Sequence, residues 1–376
     1  MKWLMRSDNA IDWVLLACVA PLLIFGLVTM SSFTSESYYF YRQVTWVLLS
    51  ISLLLSFSLI DWRFLRRSEI LVSIYSFIIV VLLLLFVVGT ISKGAQSWFS
   101  FGGMSLQPAD FMKLSLVLML AKYFSKRHIE IANIRHILIS GTYAFLPFVA
   151  IMLQPDFGSA LIIFLIWFGM ILVSGVSKKH LFLLGTAAVI FSVIAWMFIL
   201  QPYQKARIIS FLHPLADVRG SGYNAFQSTI AVGSGQLTGK GVGYGTQSRL
   251  KFLPEYQTDF IFAAFAEEWG FFGVLIFFFL FSMVIWRIIT NALKGATNFE
   301  ILFGLGLVVM FMSHLIIHVG MNIGILPVTG LPLPFLSYGG SHLLAEFMGL
   351  GILMGMRRYS LAFHRDDVKN EFIGPQ

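Results

Sequence analysis

The densest group of residues that could do chemistry lies between Leu253 and Phe260. It contains two carboxylates, Glu255 and Asp259, four positions apart, which share one face if the segment is helical. Mutual repulsion and partial burial would make one of them a stronger base, as general-base catalysis requires. A helix start at a membrane surface, with two solvated acids, is the alternative that the spacing leaves open.

Further ionisable groups interrupt apolar stretches. Asp110 and Lys113 are three positions apart, so they share a helix face. Charged groups within membrane spans are costly and face a cavity or one another, so this pair is either part of a substrate path or a structural ion pair. Asp156 follows Gln154 and Pro155 at the start of an apolar run, where it is either a helix cap or a site residue.

Two further pairs have a predominantly structural interpretation. His314 and His318 are four positions apart in an apolar run, a spacing that could hold a metal. No third ligand is evident nearby, so a core pair on one helix face is favoured. Glu267 and Glu268 follow the acidic segment, and one of them must face the protein interior or the water interface.

Two irregular segments flank these groups. The segment from Gly330 to Ser341 has two prolines followed by a glycine pair, a pattern typical of irregular backbone that dips toward the membrane. Such backbone is tolerated where protein covers it or where it lines a cavity, so it predicts the wall of a site. A glycine-rich stretch within residues 220–245 fits neither nucleotide-binding glycine motif in register, and we interpret it as a mobile approach to the site.

The elements that carry these residues are predicted from composition. Of 376 residues, 58% are hydrophobic and 12% are charged, whereas a soluble domain has about 25% charged residues. The mean hydropathy is +0.83, and apolar runs of about 20 residues recur along the chain. The single cysteine, Cys18, excludes an internal disulfide. We predict an all-α integral membrane protein, one polytopic domain over residues 1–376, with about ten spans near 12–30, 44–60, 70–90, 109–124, 137–153, 157–174, 180–200, 261–287, 301–322 and 341–356.

The distribution of basic residues predicts the orientation. The net charge of +8 could suggest nucleic acid, but in a membrane protein lysine and arginine concentrate on cytoplasmic loops. Most of those between the predicted spans lie on the side of the two termini. Both termini are therefore expected in the cytoplasm, the number of spans is expected to be even, and the long loop at about 201–260 is expected outside.

Several motifs, in order along almost the whole chain, resemble the SEDS family (shape, elongation, division and sporulation proteins), and within it the RodA branch. The short N-terminus fits that branch better than the division branch. The motifs are Lys93-Gly94-Ala95-Gln96, Gln107-Pro108, Gln154-Pro155-Asp156, Gly245-Thr246-Gln247-Ser248, Phe252-Leu253-Pro254-Glu255, Thr258-Asp259-Phe260-Ile261-Phe262-Ala263 and Gly324-Ile325-Leu326-Pro327 through Gly340.

The resemblance implies a peptidoglycan glycosyltransferase of the bacterial inner membrane. Such an enzyme polymerises lipid II outside the membrane, beside a class B penicillin-binding protein and the elongation machinery. The family's essential aspartate falls on Asp259, and its acidic and basic pair falls on Asp110 and Lys113. Three positions depart from the family pattern, namely Asp110 where glutamate is usual, Ser97 where arginine is common, and His342 where a small residue is usual.

The implied reaction needs one inversion at the sugar carbon, so one base suffices, unlike the two carboxylates of glycosidases. Asp259 would take the proton of the acceptor 4-hydroxyl, and Glu255 would tune Asp259 or hold a divalent cation such as Mg²⁺ with it. Basic groups that could compensate the charge of the leaving pyrophosphate are Lys113, Arg42, Lys240 and Arg249. The other predicted substrate contacts are Asp110, Asp156, Gln154, Gln247, Ser337, Gly339 and Gly340.

Two other classes of function remain open on sequence. A lipid II flippase or transporter would also use intramembrane charges such as Asp110 and Lys113, although a transporter is expected to have its site near the midplane, often with internal repeats. A non-catalytic scaffold for a penicillin-binding protein would keep its function without Asp259. The position of the acidic cluster in an outer loop favours chemistry at the surface.

Overall fold

The computed structural model describes residues 11–32, 37–92, 95–101, 104–126, 134–175, 178–200, 205, 209, 211, 221–250, 252–253 and 255–371. Its α-helices are α1 Trp13–Ser31, α2 Ser37–Leu59, α3 Ser68–Val88, α4 Pro108–Ser125, α5 Ile134–Leu153, α6 Phe157–Val173, α7 Lys178–Ile194, α8 Ser221–Ser234, α9 Thr246–Arg249, α10 Ile261–Ala292, α11 Asn298–Asn322 and α12 Gly340–Glu371.

Each predicted span coincides with one of these helices, which confirms a mostly helical, multi-pass architecture. Among the described residues, six helices are long and apolar enough to cross a membrane, and α6 is a shorter apolar helix. Local sequence explains several starts: Asp12 caps α1, Asp156 caps α6, and Pro108 occupies the first turn of α4.

A small antiparallel sheet between α3 and α4 is absent from the sequence prediction. Its strands β1 Thr90–Ser92, β2 Ala95–Phe101 and β3 Met104–Leu106 pair in chain order. The strand-forming residues Trp98 and Phe99 explain β2, but seven residues are too few to be distinguished from a loop by periodicity. The sheet leads directly into Gln107 and the start of α4.

Helix α4 lies at the centre of the bundle. Residues around its whole circumference are buried, including the charged pair Asp110 and Lys113, as expected for a helix with no solvent or lipid face. Its neighbours are α3, α5, α6, α11 and α12. This short, charged span therefore lies inside the bundle.

The glycine-rich segment docks onto a break in α10. Gly270 has φ 64° and ψ −168°, which no right-handed helix accommodates. The break frees backbone groups on both sides of it, and the glycine-rich segment satisfies them: Lys240 N donates to Glu267 O at 2.9 Å, and Phe271 N donates to Gln236 O at 2.9 Å. The interpretation of this segment as a mobile approach is wrong for these residues, because backbone hydrogen bonds fix it.

Gly270→Ala is expected to lower the free energy of unfolding by about 1–3 kcal/mol, because Ala is strained at this φ. The added Cβ would also overlap the backbone at Gly239. The measurement is thermal unfolding in detergent. Gly233→Ala, in α8 with open space around the added methyl, is the matched control and is expected to be neutral or slightly stabilising. Equal stability of the two variants would contradict this account of the break.

Candidate active site

Asp259 lies in a tight turn immediately before α10. The amide of Asp259 donates to Glu255 O at 3.0 Å, and that of Phe260 donates to the same oxygen at 3.3 Å. Glu255 has φ 51°, so residues 255–260 form consecutive turns and not an α-helix. The shared helix face considered for Glu255 and Asp259 is therefore not formed: Glu255 is exposed, whereas Asp259 is half-buried.

Asn322, at the end of α11, fixes this turn through hydrogen bonds to its backbone. Its Nδ2 donates to Asp259 O at 3.1 Å and to His318 O at 2.8 Å, and its Oδ1 accepts from Ala263 N at 3.2 Å. The side chain is fully buried. Sequence reasoning missed this residue, although a lone amide inside an apolar run was the signal that could have found it.

The proline-rich loop between α11 and α12 forms the other side of the turn. Ser337 Oγ donates to Thr258 O at 2.9 Å and accepts from Leu333 N at 2.8 Å, while Tyr338 N donates to Gln257 O at 2.9 Å. This loop is largely buried irregular backbone, as the sequence predicts for the wall of a site. Ser337 is 4% exposed and both its hydrogen bonds are internal, so it fastens the loop to the turn.

Gly330 brings the loop backbone against the carboxylate of Asp259. It has φ 73°, and a Cβ built at this position would lie 3.4 Å from Asp259 Oδ2. On the other side of the loop, a Cβ at Gly158 of α6 would lie 2.8 Å from Thr329 O. The loop therefore spans from the start of α6 to Asp259.

Asp156 marks the α6 side of the loop. Its Oδ1 accepts from Ser159 N at 3.0 Å, as in a helix cap, and its Oδ2 accepts from Gln107 Nε2 at 2.7 Å. The cap interpretation is confirmed, and the same carboxylate joins α6 to the start of α4. Gln154 is buried and donates to Leu82 O at 2.8 Å, which is a contact within the bundle.

The two histidines of α11 hold the loop through its carbonyl groups. His314 Nδ1 lies 3.2 Å from Pro332 O, and His318 Nδ1 lies 2.6 Å from Leu331 O. Both rings are buried. These contacts make the two rings buried supports of the loop, as the core interpretation predicts.

Asp110 and Lys113 form an ion pair in the interior. Lys113 Nζ lies 2.9 Å from Asp110 Oδ1, and both side chains are 2% exposed. Asp110 Oδ2 accepts from Ser341 Oγ at 3.0 Å. The pair lies close to the proline-rich loop, because Ser341 is in the first turn of α12, which follows that loop.

Lys240 and Gln247 pack against the buried acids of α10. Lys240 Nζ lies 2.7 Å from Glu267 Oε1, and Gln247 N donates to the same oxygen at 3.1 Å. Glu268 Oε1 accepts from Gly243 N at 2.8 Å and from Ser32 Oγ at 2.5 Å. Both acids are buried, whereas the sequence predicts only that one of them faces the interior or the water interface.

The remaining predicted contacts divide into exposed and internal positions. Arg249 is exposed, and Arg42 is half-buried with its guanidinium 4.5 Å from the ring centre of Tyr38. Gly339 N donates to Gln43 Oε1 at 3.4 Å, and a Cβ at Gly340 would overlap the indole of Trp46.

Tyr338 lies beside Arg42 at the outer end of the loop. Burial raises the pKa of the Tyr338 hydroxyl above its usual value, and the neighbouring Arg42 guanidinium acts in the opposite direction. Ser97, one of the three departures from the family pattern, is buried in β2. The motif residues Lys93, Gly94 and Pro254 lie outside the described residues.

Comparison with known families matches residues 10–361 to the model of the FtsW/RodA/SpoVE proteins, described as "Cell cycle protein". The chain belongs to the FtsW/RodA/SpoVE family. The match covers well over half of the chain, including α1, α4, the turn at Asp259 and the proline-rich loop.

Similar family members include curated proteins and solved structures. The peptidoglycan glycosyltransferase MrdB of Escherichia coli K12 is 39% identical over 290 residues, covering 76% of this chain and 77% of that protein. Stage V sporulation protein E of Bacillus subtilis is 35% identical over 361 residues, covering 93% and 97%.

Two solved structures show the same fold. A chain from a peptidoglycan synthase complex that coordinates polymerization and crosslinking has a TM-score of 0.80 at 29% identity, covering 93% of this chain and 98% of that one. The rod shape determining protein RodA of Thermus thermophilus has a TM-score of 0.67 at 29% identity, covering 92% and 96%.

Proposed function

We propose that this protein is a peptidoglycan glycosyltransferase that polymerises lipid II into glycan strands during cell elongation and rod-shape maintenance. The observation that carries the proposal is Asp259, a half-buried carboxylate against the backbone of Gly330, in a turn held by Asn322 and Ser337. The similar MrdB protein bears the name of that activity. The contacts with Asn322, Ser337 and Gly330 fix the turn that carries this base, and a general base must be held in position relative to its substrate.

The chemistry follows from the two linkages. Lipid II carries an α-linked pyrophosphate and the product is β-linked, so one in-line displacement inverts the carbon. The acceptor 4-hydroxyl oxygen forms the new bond to that carbon, its proton passes to Asp259, and the old bond breaks to release undecaprenyl pyrophosphate. No covalent intermediate on the protein is needed.

The protein's own groups have three tasks in this scheme. Asp259 accepts the proton, Asn322 and Ser337 fix the backbone of its turn, and Gly330 leaves room for substrate beside the carboxylate. Lys113 is buried with Asp110, and Lys240 is paired with Glu267. The exposed Arg249 is therefore the stronger candidate for the leaving pyrophosphate, and Arg42 at the outer end of the loop is a further candidate.

A divalent cation such as Mg²⁺ fits these residues if the protein supplies few of its ligands. Mg²⁺ binds through one or two carboxylates with waters and substrate phosphates, and does not need a cage of protein ligands. The described residues contain no group of three or more such ligands, so a mode with one or two carboxylates is the one left, and Asp259 and Glu255 are the candidates for it. Glu255 with Asp259 would hold the ion, which when bound would neutralise charge on the pyrophosphate.

The placement in the cell follows from the same proposal. The chain is a multi-pass protein of the bacterial cytoplasmic membrane, with both termini in the cytoplasm and Asp259 facing outward. Its partner is a class B penicillin-binding protein of the elongation machinery. The similar chain from a peptidoglycan synthase complex that couples polymerization to crosslinking supports such a pairing.

The test is polymerisation of purified lipid II by the full chain in liposomes, with its penicillin-binding partner, with and without a chelator. The proposal predicts glycan strands, with loss of activity on chelation and recovery on adding Mg²⁺. Activity that resists the chelator would remove the cation from the mechanism but leave the polymerase. Translocation of lipid II without any polymer would identify a flippase in place of a polymerase. If the protein neither polymerises nor translocates lipid II, the scaffold is the remaining function.

A further inference from the structure

A buried ionic network lies beneath the proline-rich loop and extends beyond the Asp110–Lys113 pair. His342 Nδ1 lies 3.5 Å from Asp110 Oδ1, and His342 Nε2 lies 2.9 Å from Glu346 Oε1, in ion-pair contact without hydrogen-bond alignment. Asp110 and Glu346 are 3% and 1% exposed, and His342 is 7% exposed. The network thus has two carboxylates, Lys113 and one imidazole.

The geometry at His342 identifies its charge. A neutral imidazole has one donor nitrogen and one acceptor nitrogen, and an acceptor facing a carboxylate oxygen is repelled. Here both ring nitrogens lie within ion-pair distance of carboxylate oxygens, an arrangement that favours a ring protonated on both nitrogens. With His342 cationic, the two carboxylates and two cations balance, as buried charges require.

Other groups around His342 do not alter this balance. On α4 it faces Asp110 and the neighbouring Lys113, and on its own helix it faces Glu346. From α11 it faces His314, whose ring centre is 4.6 Å away and whose Nδ1 is 3.2 Å from the carbonyl of Pro332.

Glu346 connects the network to the loop. Its Oε2 accepts from Phe335 N at 3.2 Å. Phe335 has φ 62°, a conformation costly for a bulky residue, and its ring is buried against Phe281, Phe311 and Phe347. Two residues later, Ser337 donates to Thr258 O in the turn of Asp259.

We infer that His342 is a positioning residue for the proposed glycosyltransferase: as a buried cation it pairs with Glu346, and Glu346 fixes the strained loop backbone that supports the turn of Asp259. This inference rests on the proposed function for its effect on catalysis. The path runs from His342 through Glu346 to Phe335 by contacts, along the backbone from Phe335 to Ser337, and by a hydrogen bond from Ser337 to Thr258.

His342→Gln tests the charge. The variant leaves Lys113, paired with Asp110, as the remaining cation of the network, and it removes the cationic partner of Glu346. Uptake of one proton by the network would restore its charge balance. At neutral pH we expect lipid II polymerisation to fall by at least about tenfold, with part of the rate recovered as the pH is lowered by one to two units, because one pH unit changes the protonated fraction up to about tenfold. Wild type should show no such recovery.

The double variant His342→Gln/Glu346→Gln restores the charge balance by removing one carboxylate. The glutamine side chain introduced by Glu346→Gln keeps an oxygen that can accept from Phe335 N, so we expect a rate within about threefold of wild type and no gain at low pH. His136→Gln, which replaces another buried histidine whose Nδ1 lies 3.0 Å from a Tyr123 hydroxyl, is the matched control and should not gain at low pH.

Thermal unfolding in detergent against pH gives a readout that does not depend on the activity. The midpoint of His342→Gln should rise relative to wild type as pH falls, and the double variant should show no such rise. A pH-independent midpoint for His342→Gln, or a double variant no better than the single variant, would overturn the inference. If wild type makes no polymer, the proposed function fails, and the unfolding series still decides the charge of His342.

Discussion

Asp259→Asn is expected to lower the rate of lipid II polymerisation by about 10²–10⁴-fold, the usual contribution of a general base. The amide has nearly the shape of the carboxylate but cannot accept the acceptor's proton. The turn should persist, because Asn322 holds Asp259 through its backbone carbonyl and Ser337 holds Thr258 in the same way.

The measurement is the initial rate of strand synthesis at saturating lipid II, with thermal unfolding as the test of the fold. Asp61→Asn is the matched control: it makes the same substitution in the turn between α2 and α3, where the carboxylate caps Arg63 N. That control should polymerise at the wild-type rate. Equal rates for Asp259→Asn and Asp61→Asn in folded protein would remove Asp259 from the base role.

Lys113→Met is expected to lower the free energy of unfolding by about 3–5 kcal/mol, the cost of leaving one charge of a buried pair without its partner. The side chains of Lys113 and Asp110 are both 2% exposed, so water cannot replace the lost ammonium. His342 would then face two carboxylates as the remaining cation of the network.

The double variant Lys113→Met/Asp110→Asn removes both charges and should recover most of the stability, because replacing a whole buried pair is often neutral. Lys126→Met is the control, since its ammonium is exposed and donates to Ser68 Oγ at 3.0 Å. Chemical denaturation in mixed micelles measures all three. A Lys113→Met protein as stable as Lys126→Met would mean that the ion pair does not form. A stable double variant that fails to polymerise would add a role in substrate binding.

The sequence predicts the features that depend on local pattern. Apolar runs locate the helices because a span must bury every backbone polar group within itself. Asp156 is predictable as a helix cap because a cap contact is local: its carboxylate accepts from the amide of Ser159, three residues later. The Asp110–Lys113 pair is recognisable because three positions place two side chains on one helix face.

Features that depend on contacts between distant segments are not predictable in this way. The break at Gly270 makes sense only with Gln236 and Lys240 beside it. The histidine at 342 stands out as a departure from the family, but its two carboxylates come from different helices. The turn at Asp259 escapes the helical pattern because the left-handed φ of Glu255, a residue ordinarily good in helices, is imposed by surrounding structure.

The most direct measurement is strand synthesis and lipid II translocation in the same liposomes, with wild type and Asp259→Asn side by side. The account predicts glycan strands from wild type, at most about a hundredth of that rate from folded Asp259→Asn, and no dependence of translocation on Asp259. Strands made at equal rates by both proteins, or translocation that Asp259→Asn abolishes without any polymer from wild type, would contradict it.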